Sequence, residues 1–216
     1  MQILSLDFYQ HRKSVEVLKR IQILRADSNQ TVDAEIIRLT TGVAREKIDI
    51  VWWKLPSVPA EDMNNEGDFH WDWERLTRFY SGKSLHECVA ILSQENYLEG
   101  AMVYQFNAKS KLEPDKGSVY IGWLASAPRN RNWLVNQPFY KSVGTMLLYW
   151  AIRESYDAGL GGRISLQSLP TPSTVQFYKN KGLVRTDLSQ PANDLVDYEL
   201  SESAALAWLQ KQGDLP

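Results

Sequence analysis

The stretch that decides the fold runs Ser118-Val119-Tyr120-Ile121-Gly122-Trp123-Leu124-Ala125-Ser126-Ala127 and, beyond a loop, Tyr140-Lys141-Ser142-Val143-Gly144-Thr145-Met146-Leu147-Leu148. Its first half is almost uniformly apolar, the pattern of a strand covered on both faces. In the second half the period changes. Val143, Met146, Leu147, Trp150 and Ala151 recur at helical spacing, which predicts a helix from Ser142 to Ala158. Gly159, Gly161 and Gly162 close it, because glycine enters the left-handed region without a Cβ clash. A helix start carries unpaired backbone N–H groups and the positive end of the peptide dipoles. Small residues there let a phosphate reach those groups, and Ser142, Gly144 and Thr145 are small, with the charge of Lys141 beside them. The plainer reading of the same residues is an ordinary helix start with a close strand–helix contact at Gly144.

On the N-terminal side, His86 to Ser93 and Leu98 to Asn107 are apolar and rich in strand formers. Gln94-Glu95-Asn96 separates them, so they read as a hairpin. Lys109 to Gly117, with Pro114 and Asp115, is a second turn leading into Ser118. On the C-terminal side, Ile164 to Leu169 alternates as a strand, and Thr171-Pro172 opens a short helix, Ser173 to Lys181, ended by Gly182. Leu183 to Leu188 and Leu195 to Leu200 read as a last pair of strands, and Ser201 caps a final helix that turns Leu206 and Leu209 inward. The order from residue 86 is β-β-β-α-β-α-β-β-α. Earlier residues are less readable. Val15 to Arg25 and Glu35 to Leu39 fit strand or helix, Leu55 to Phe69 reads as a polar loop, and His70 to Tyr80 as a short helix with Asp68 as its N-cap, stopped near Gly82.

Two segments of this order resemble the GNAT superfamily of acyl-CoA N-acyltransferases. Leu124-Ala125-Ser126-Ala127-Pro128 is similar to the family's L-x-V-x-P strand end, and Phe139-Tyr140-Lys141-Ser142-Val143-Gly144 to its R/Q-x-x-G-x-G/A pyrophosphate loop. Phe177-Tyr178-Lys179-Asn180-Lys181-Gly182-Leu183 is similar to the family's F-Y-x-x-x-G-F/L segment. The resemblance spans residues 86 to 200. It departs at Phe139, where the family has Arg or Gln, and at Ser142, where it has glycine; serine is tolerable there if its φ is negative. The stretch Arg129 to Gln137 is an insertion, whose arginines either reach a phosphate or, the favoured reading, solvate a loop.

The resemblance implies an α/β (α+β) fold: a mixed, mostly antiparallel central sheet flanked by helices, as one domain over 1–216. Residues 1–85 are its divergent acceptor-side part, 86–200 the cofactor-binding core and 201–216 the C-terminal helix. It implies an N-acetyltransferase that uses acetyl-CoA as co-substrate and a small-molecule or peptide amine as acceptor, reacting by direct attack in a ternary complex. Tyr178 is then the acid that protonates the departing thiolate. The backbone at Leu124 stabilises the oxyanion, and Leu124 and Ser126 pair with the pantetheine arm. Lys141, Ser142, Val143, Gly144 and Thr145 hold the pyrophosphate. No general base stands out: Val119 to Ala127 and Ile164 to Leu169 contain no Asp, Glu or His, which leaves Glu87, Glu99 and Asp197 acting through a water. That gap keeps a non-catalytic CoA-binding or partner-binding domain open as the alternative.

Composition narrows the rest. With 24 basic and 26 acidic residues the formal charge is −2, which gives no support to a nucleic-acid or membrane-surface partner, since either would need a basic face. The longest apolar run, Val143 to Ile152, falls short of the about 20 residues of a membrane span. The start of the chain lacks a signal-peptide pattern, and a cytoplasmic location is expected. A homodimer is left open. The single Cys88 excludes an internal disulfide, and Asp68, His70 and Asp72 are a weak metal set, so no metal is expected. Eight Trp residues are the oddity. Trp123, Trp150 and Trp208 fit core positions, whereas Trp52, Trp53, Trp71 and Trp73 cluster in the divergent half. They are read as walling the acceptor site, which favours an apolar or aromatic acceptor; a third reading is a ligand-binding module whose exposed Trp residues stack on sugars or aromatics.

Overall fold

A computed structural model of the 216-residue chain describes residues 15–54, 63, 66–186 and 195–213. Nine strands form one sheet in the order β6-β1-β2-β3-β4-β5-β7-β9-β8. They are β1 (Val17–Arg25), β2 (Thr31–Arg38), β3 (His86–Ser93), β4 (Leu98–Lys109), β5 (Gly117–Ser126), β6 (Tyr140–Lys141), β7 (Ile164–Ser168), β8 (Val184–Arg185) and β9 (Val196–Leu200). β5 and β7 are parallel, whereas β1–β2, β1–β6, β2–β3, β7–β9 and β8–β9 are antiparallel. The helices are α1 (Thr41–Ala44), which continues as a π-turn over Arg45–Asp49, α2 (Trp73–Tyr80), α3 (Val143–Asp157), α4 (Pro172–Asn180) and α5 (Glu202–Lys211). From residue 86 onward the expected order is present, with the two-residue β6 added. The end of the expected strand at Leu188 lies outside the described residues.

The chain falls into two compact units. The first comprises residues 1–81, 88–101 and 126–143, and the second 82–87, 102–125 and 144–216.

In the first unit, β1 resolves the ambiguity of Val15 to Arg25 as a strand. Its pairing slips between Val17 and Lys19, a bulge that breaks the period-two alternation. α2 begins later than expected, at Trp73. Asp72 is its N-cap, accepting from the N–H of Arg75 at 2.8 Å, and the Asp49 carboxylate accepts from the N–H groups of Trp73 and Glu74 at 2.9 and 2.8 Å. Those three acceptors satisfy the first turn, and Asp68 instead binds Arg131.

Of the four clustered tryptophans, two are fully buried. Trp52 and Trp73 are 1% and 2% exposed and meet edge to face at 6.0 Å, and the Trp52 indole donates to the Leu98 carbonyl at 2.9 Å. Trp71 packs on Trp73 at 5.8 Å, and Trp53 on Phe69 at 5.2 Å. Trp52 and Trp73 belong to the core of the unit while Trp53 and Trp71 are half-buried, so the expected wall loses two of its four rings.

In the second unit α3 is covered almost all round: every residue from Leu147 to Ile152 is buried, so it is an interior helix rather than a surface one. The Trp150 indole donates to the Tyr104 hydroxyl at 3.2 Å, which in turn donates to Glu154 at 2.9 Å, tying α3 to β4. α4 starts as expected, with Thr171 as N-cap and Pro172 in its first turn, and Ser201 caps α5.

Candidate functional site

The residues singled out by the motifs lie on three short stretches of chain: the end of β5, the link from β6 into α3, and α4. In the second unit, Leu124 is half-buried near the end of β5. Gly144 is in the first turn of α3, and a Cβ placed there would meet Cζ of Phe177 at 3.4 Å. The close contact expected at Gly144 is therefore made with α4, and it seats the start of α3 against the helix that carries Tyr178. Thr145 is half-buried one position further on.

Tyr178 is 7% exposed, and its ring lies 5.4 Å from that of Tyr198 on β9. Burial, with Tyr198 second, pushes its hydroxyl up to about 12. The group stays protonated across the neutral range, which keeps a proton in place while making the phenol a weaker acid than in water.

In the first unit, Ser126 ends β5, and its carbonyl accepts two hydrogen bonds from Arg131, from Nε at 3.1 Å and Nη2 at 2.7 Å. Both lone pairs are used, so this carbonyl has nothing left for a pantetheine N–H. The rest of the Arg131 guanidinium binds Asp68, one bond measuring 2.7 Å, and Glu66, and it lies 5.2 Å from the Trp53 ring. Arg129 is equally committed. Its Nε donates to Glu99 at 3.0 Å and its Nη2 to the other carboxylate oxygen, while Asn130 Nδ2 donates to Glu99 at 2.9 Å. The two arginines are 6% and 4% exposed. Neither solvates a loop nor is free for a phosphate, which corrects both readings of the insertion.

Glu99, with 0% exposure and a paired carboxylate, is no free base either. Asp197 is paired with Lys111. Glu87 is half-buried on β3.

The loop before α3 offers fewer donors than its motif suggests. The N–H of Phe139 is spent on the Arg129 carbonyl at 3.2 Å and that of Tyr140 on Asn130 Oδ1 at 3.0 Å. The donors free for an anion therefore begin in the first turn, with Ser142, Val143, Gly144 and Thr145. Lys141 is exposed and donates to Asn29 Oδ1 at 3.1 Å.

Ser142 has φ of +69°, so the condition under which serine replaces glycine there without cost is not met. A left-handed non-glycine residue carries about 1–2 kcal/mol of strain. Glycine would relieve it at some cost in unfolded-chain entropy. Ser142→Gly is expected to raise stability by about 0.5–1 kcal/mol, read as an upward shift of the urea midpoint. An unchanged or lowered midpoint would show that the serine side chain offsets its own strain.

Among the described residues, no group of three or more His, Cys, Asp or Glu is placed to hold a metal, and no helix is long and apolar enough to cross a membrane. Cys88 is buried.

No protein-family model matches the chain, and no curated protein matches it in sequence. Solved structures do. It superposes on the GNAT domain of PAT from S. lividans with a TM-score of 0.56 at 10% identity, covering 84% of this chain and 96% of that one. A bacterial toxin matches with a TM-score of 0.55 at 12% identity over 82% and 95% of the two chains. AtaTR bound with AcCoA matches with 0.51 at 15% over 81% and 98%. The fold is therefore that of the GNAT acetyltransferases. At such identities the likeness establishes architecture, and chemistry has to be argued from the residues.

Proposed function

We propose that this chain is an N-acetyltransferase that moves an acetyl group from acetyl-CoA to a primary amine. The observation that carries the reading is the contact of Gly144 with Phe177, which brings the start of α3 against the segment bearing Tyr178 within a GNAT fold. The first-turn N–H groups of Ser142, Val143, Gly144 and Thr145 hold the pyrophosphate, with Lys141 adding charge. The pantetheine arm follows the end of β5 through the backbone at Leu124 and the N–H of Ser126, since the Ser126 carbonyl is occupied.

The amine nitrogen attacks the thioester carbon. A C–N bond forms, and the oxygen that becomes negative accepts from the backbone N–H at Leu124. The C–S bond then breaks, the sulfur takes the Tyr178 proton, and the N–H proton lost by the acylated nitrogen returns through water to the phenolate. Atoms balance as one proton passed from nitrogen to sulfur. Because Glu99 and Asp197 are paired, the amine deprotonates to water. The same shortage of a free carboxylate favours one second reading, a GNAT-fold domain that binds acetyl-CoA without turning it over.

Acetyl-CoA at a hundred times its dissociation constant is expected to stabilise the protein by about 2.7 kcal/mol, seen as a rise in melting temperature. Release of free thiol in the presence of a panel of amines then separates enzyme from binder. Absence of any melting shift at millimolar acetyl-CoA would sink both readings.

A further inference from the structure

Phe139 stands where the resembled loop has Arg or Gln, and its surroundings give the substitution a purpose. Its carbonyl accepts from the N–H of Ala26 at 2.9 Å, next to the pairing of Tyr140 and Lys141 with β1, and the chain bends at Phe139 itself. Tyr140 points inward, 2% exposed, with its hydroxyl donating to Glu95 at 2.5 Å. Phe139 and Lys141, on either side of it, are both exposed. Phe139 is 48% exposed, a large apolar ring left open beside a cation.

The ring is also held in place. The Arg129 guanidinium lies 4.9 Å from its centroid and 4.3 Å from that of Tyr97, and Arg129 is itself locked by Glu99. A fixed cation behind one face of an aromatic ring leaves the other as a preorganised stacking surface. Going on along the chain, the ring is followed by the Lys141 ammonium and then by the free N–H groups from Ser142. A flat apolar ring, a cation and a set of backbone donors in that sequence match a base, its ribose and its phosphates.

We infer that Phe139, backed by Arg129, is the stacking platform for the adenine of the CoA nucleotide, with Lys141 on the phosphate side. This rests on the acetyl-CoA reading above. It adds a specificity element: recognition of the nucleotide end by stacking on Phe139 rather than by a side-chain hydrogen bond from that position.

The test compares acetyl-CoA, acetyl-pantetheine, which lacks the nucleotide, and adenosine 3′,5′-bisphosphate, which is the nucleotide alone, by titration calorimetry. Loss of base stacking is expected to weaken acetyl-CoA and the bisphosphate by about 5- to 100-fold in Phe139→Ala, with acetyl-pantetheine unaffected. Phe139→Trp should restore affinity for both nucleotides. The ring is half exposed, so these variants leave the fold intact. If the wild type binds acetyl-CoA and Phe139→Ala binds it equally well, the platform is wrong and the parent reading stands. If the wild type binds no acetyl-CoA, the parent reading falls and this one with it.

Discussion

Tyr178→Phe is expected to slow acetyl-CoA-dependent thiol release by about 10²–10⁴-fold, the range for loss of a positioned acid, while acetyl-CoA binding is retained. The phenyl ring keeps the packing on Tyr198, so only the proton is lost. The separation of kcat from binding is what identifies the role. A variant that turns over at the wild-type rate would remove Tyr178 from the mechanism, and one that melts early would point to packing alone.

The pH dependence follows from the same burial. The folded hydroxyl is raised to about 12, above its unfolded value near 10. Its contribution to stability is therefore fully present below pH 10 and is lost as pH rises from there through 12. The rate should likewise show no alkaline fall from this group below about pH 10.

Arg129→Met is expected to destabilise the protein by about 3–5 kcal/mol, because it leaves the Glu99 carboxylate buried opposite a methyl group. Asn130 alone cannot replace two charged hydrogen bonds. The double change Glu99→Leu with Arg129→Met should recover most of that loss, since removing both charges also removes the desolvation cost. Urea midpoints of the three variants measure it. A single variant within about 0.5 kcal/mol of wild type would mean that the pair is solvated in solution.

The elements from residue 86 onward were legible because their signals are local. Thr171-Pro172 and Ser201 announce helix starts wherever the helices end up, and Gly182, with φ of +82°, closes α4 as a chain stop should. β1 was illegible for a specific reason: the bulge between Val17 and Lys19 interrupts the alternation by which a strand is recognised. The start of α2 was misplaced because part of its capping comes from Asp49, a residue remote in sequence. In the candidate site, Gly144 and Tyr178 could be picked out from two motifs. Nothing in either motif marked Ser126 as having a saturated carbonyl, because its partner Arg131 sits in an insertion that reads as polar loop.

The tryptophans show the same limit. Clustering in sequence marked Trp52, Trp53, Trp71 and Trp73 as a group, which they are. Whether a group of rings lines a site or fills a core depends on what covers it, and Trp52 and Trp73 are covered.

What the sequence by itself determined here is the order of elements from residue 86 onward and the places where α3 and α4 begin. Both are written in periodicity, caps and small residues, which act over a few neighbours. What only the tertiary structure decided is the fate of its charges and strained bonds. Arg129 and Arg131 became interior clamps because Glu99, Glu66 and Asp68, tens of residues away, arrive beside them and make burial affordable. Ser142 is left-handed at the junction between β6, which pairs with β1, and α3. Charge pairing and backbone strain are set by contacts distant in sequence, and those exist only once the chain has folded.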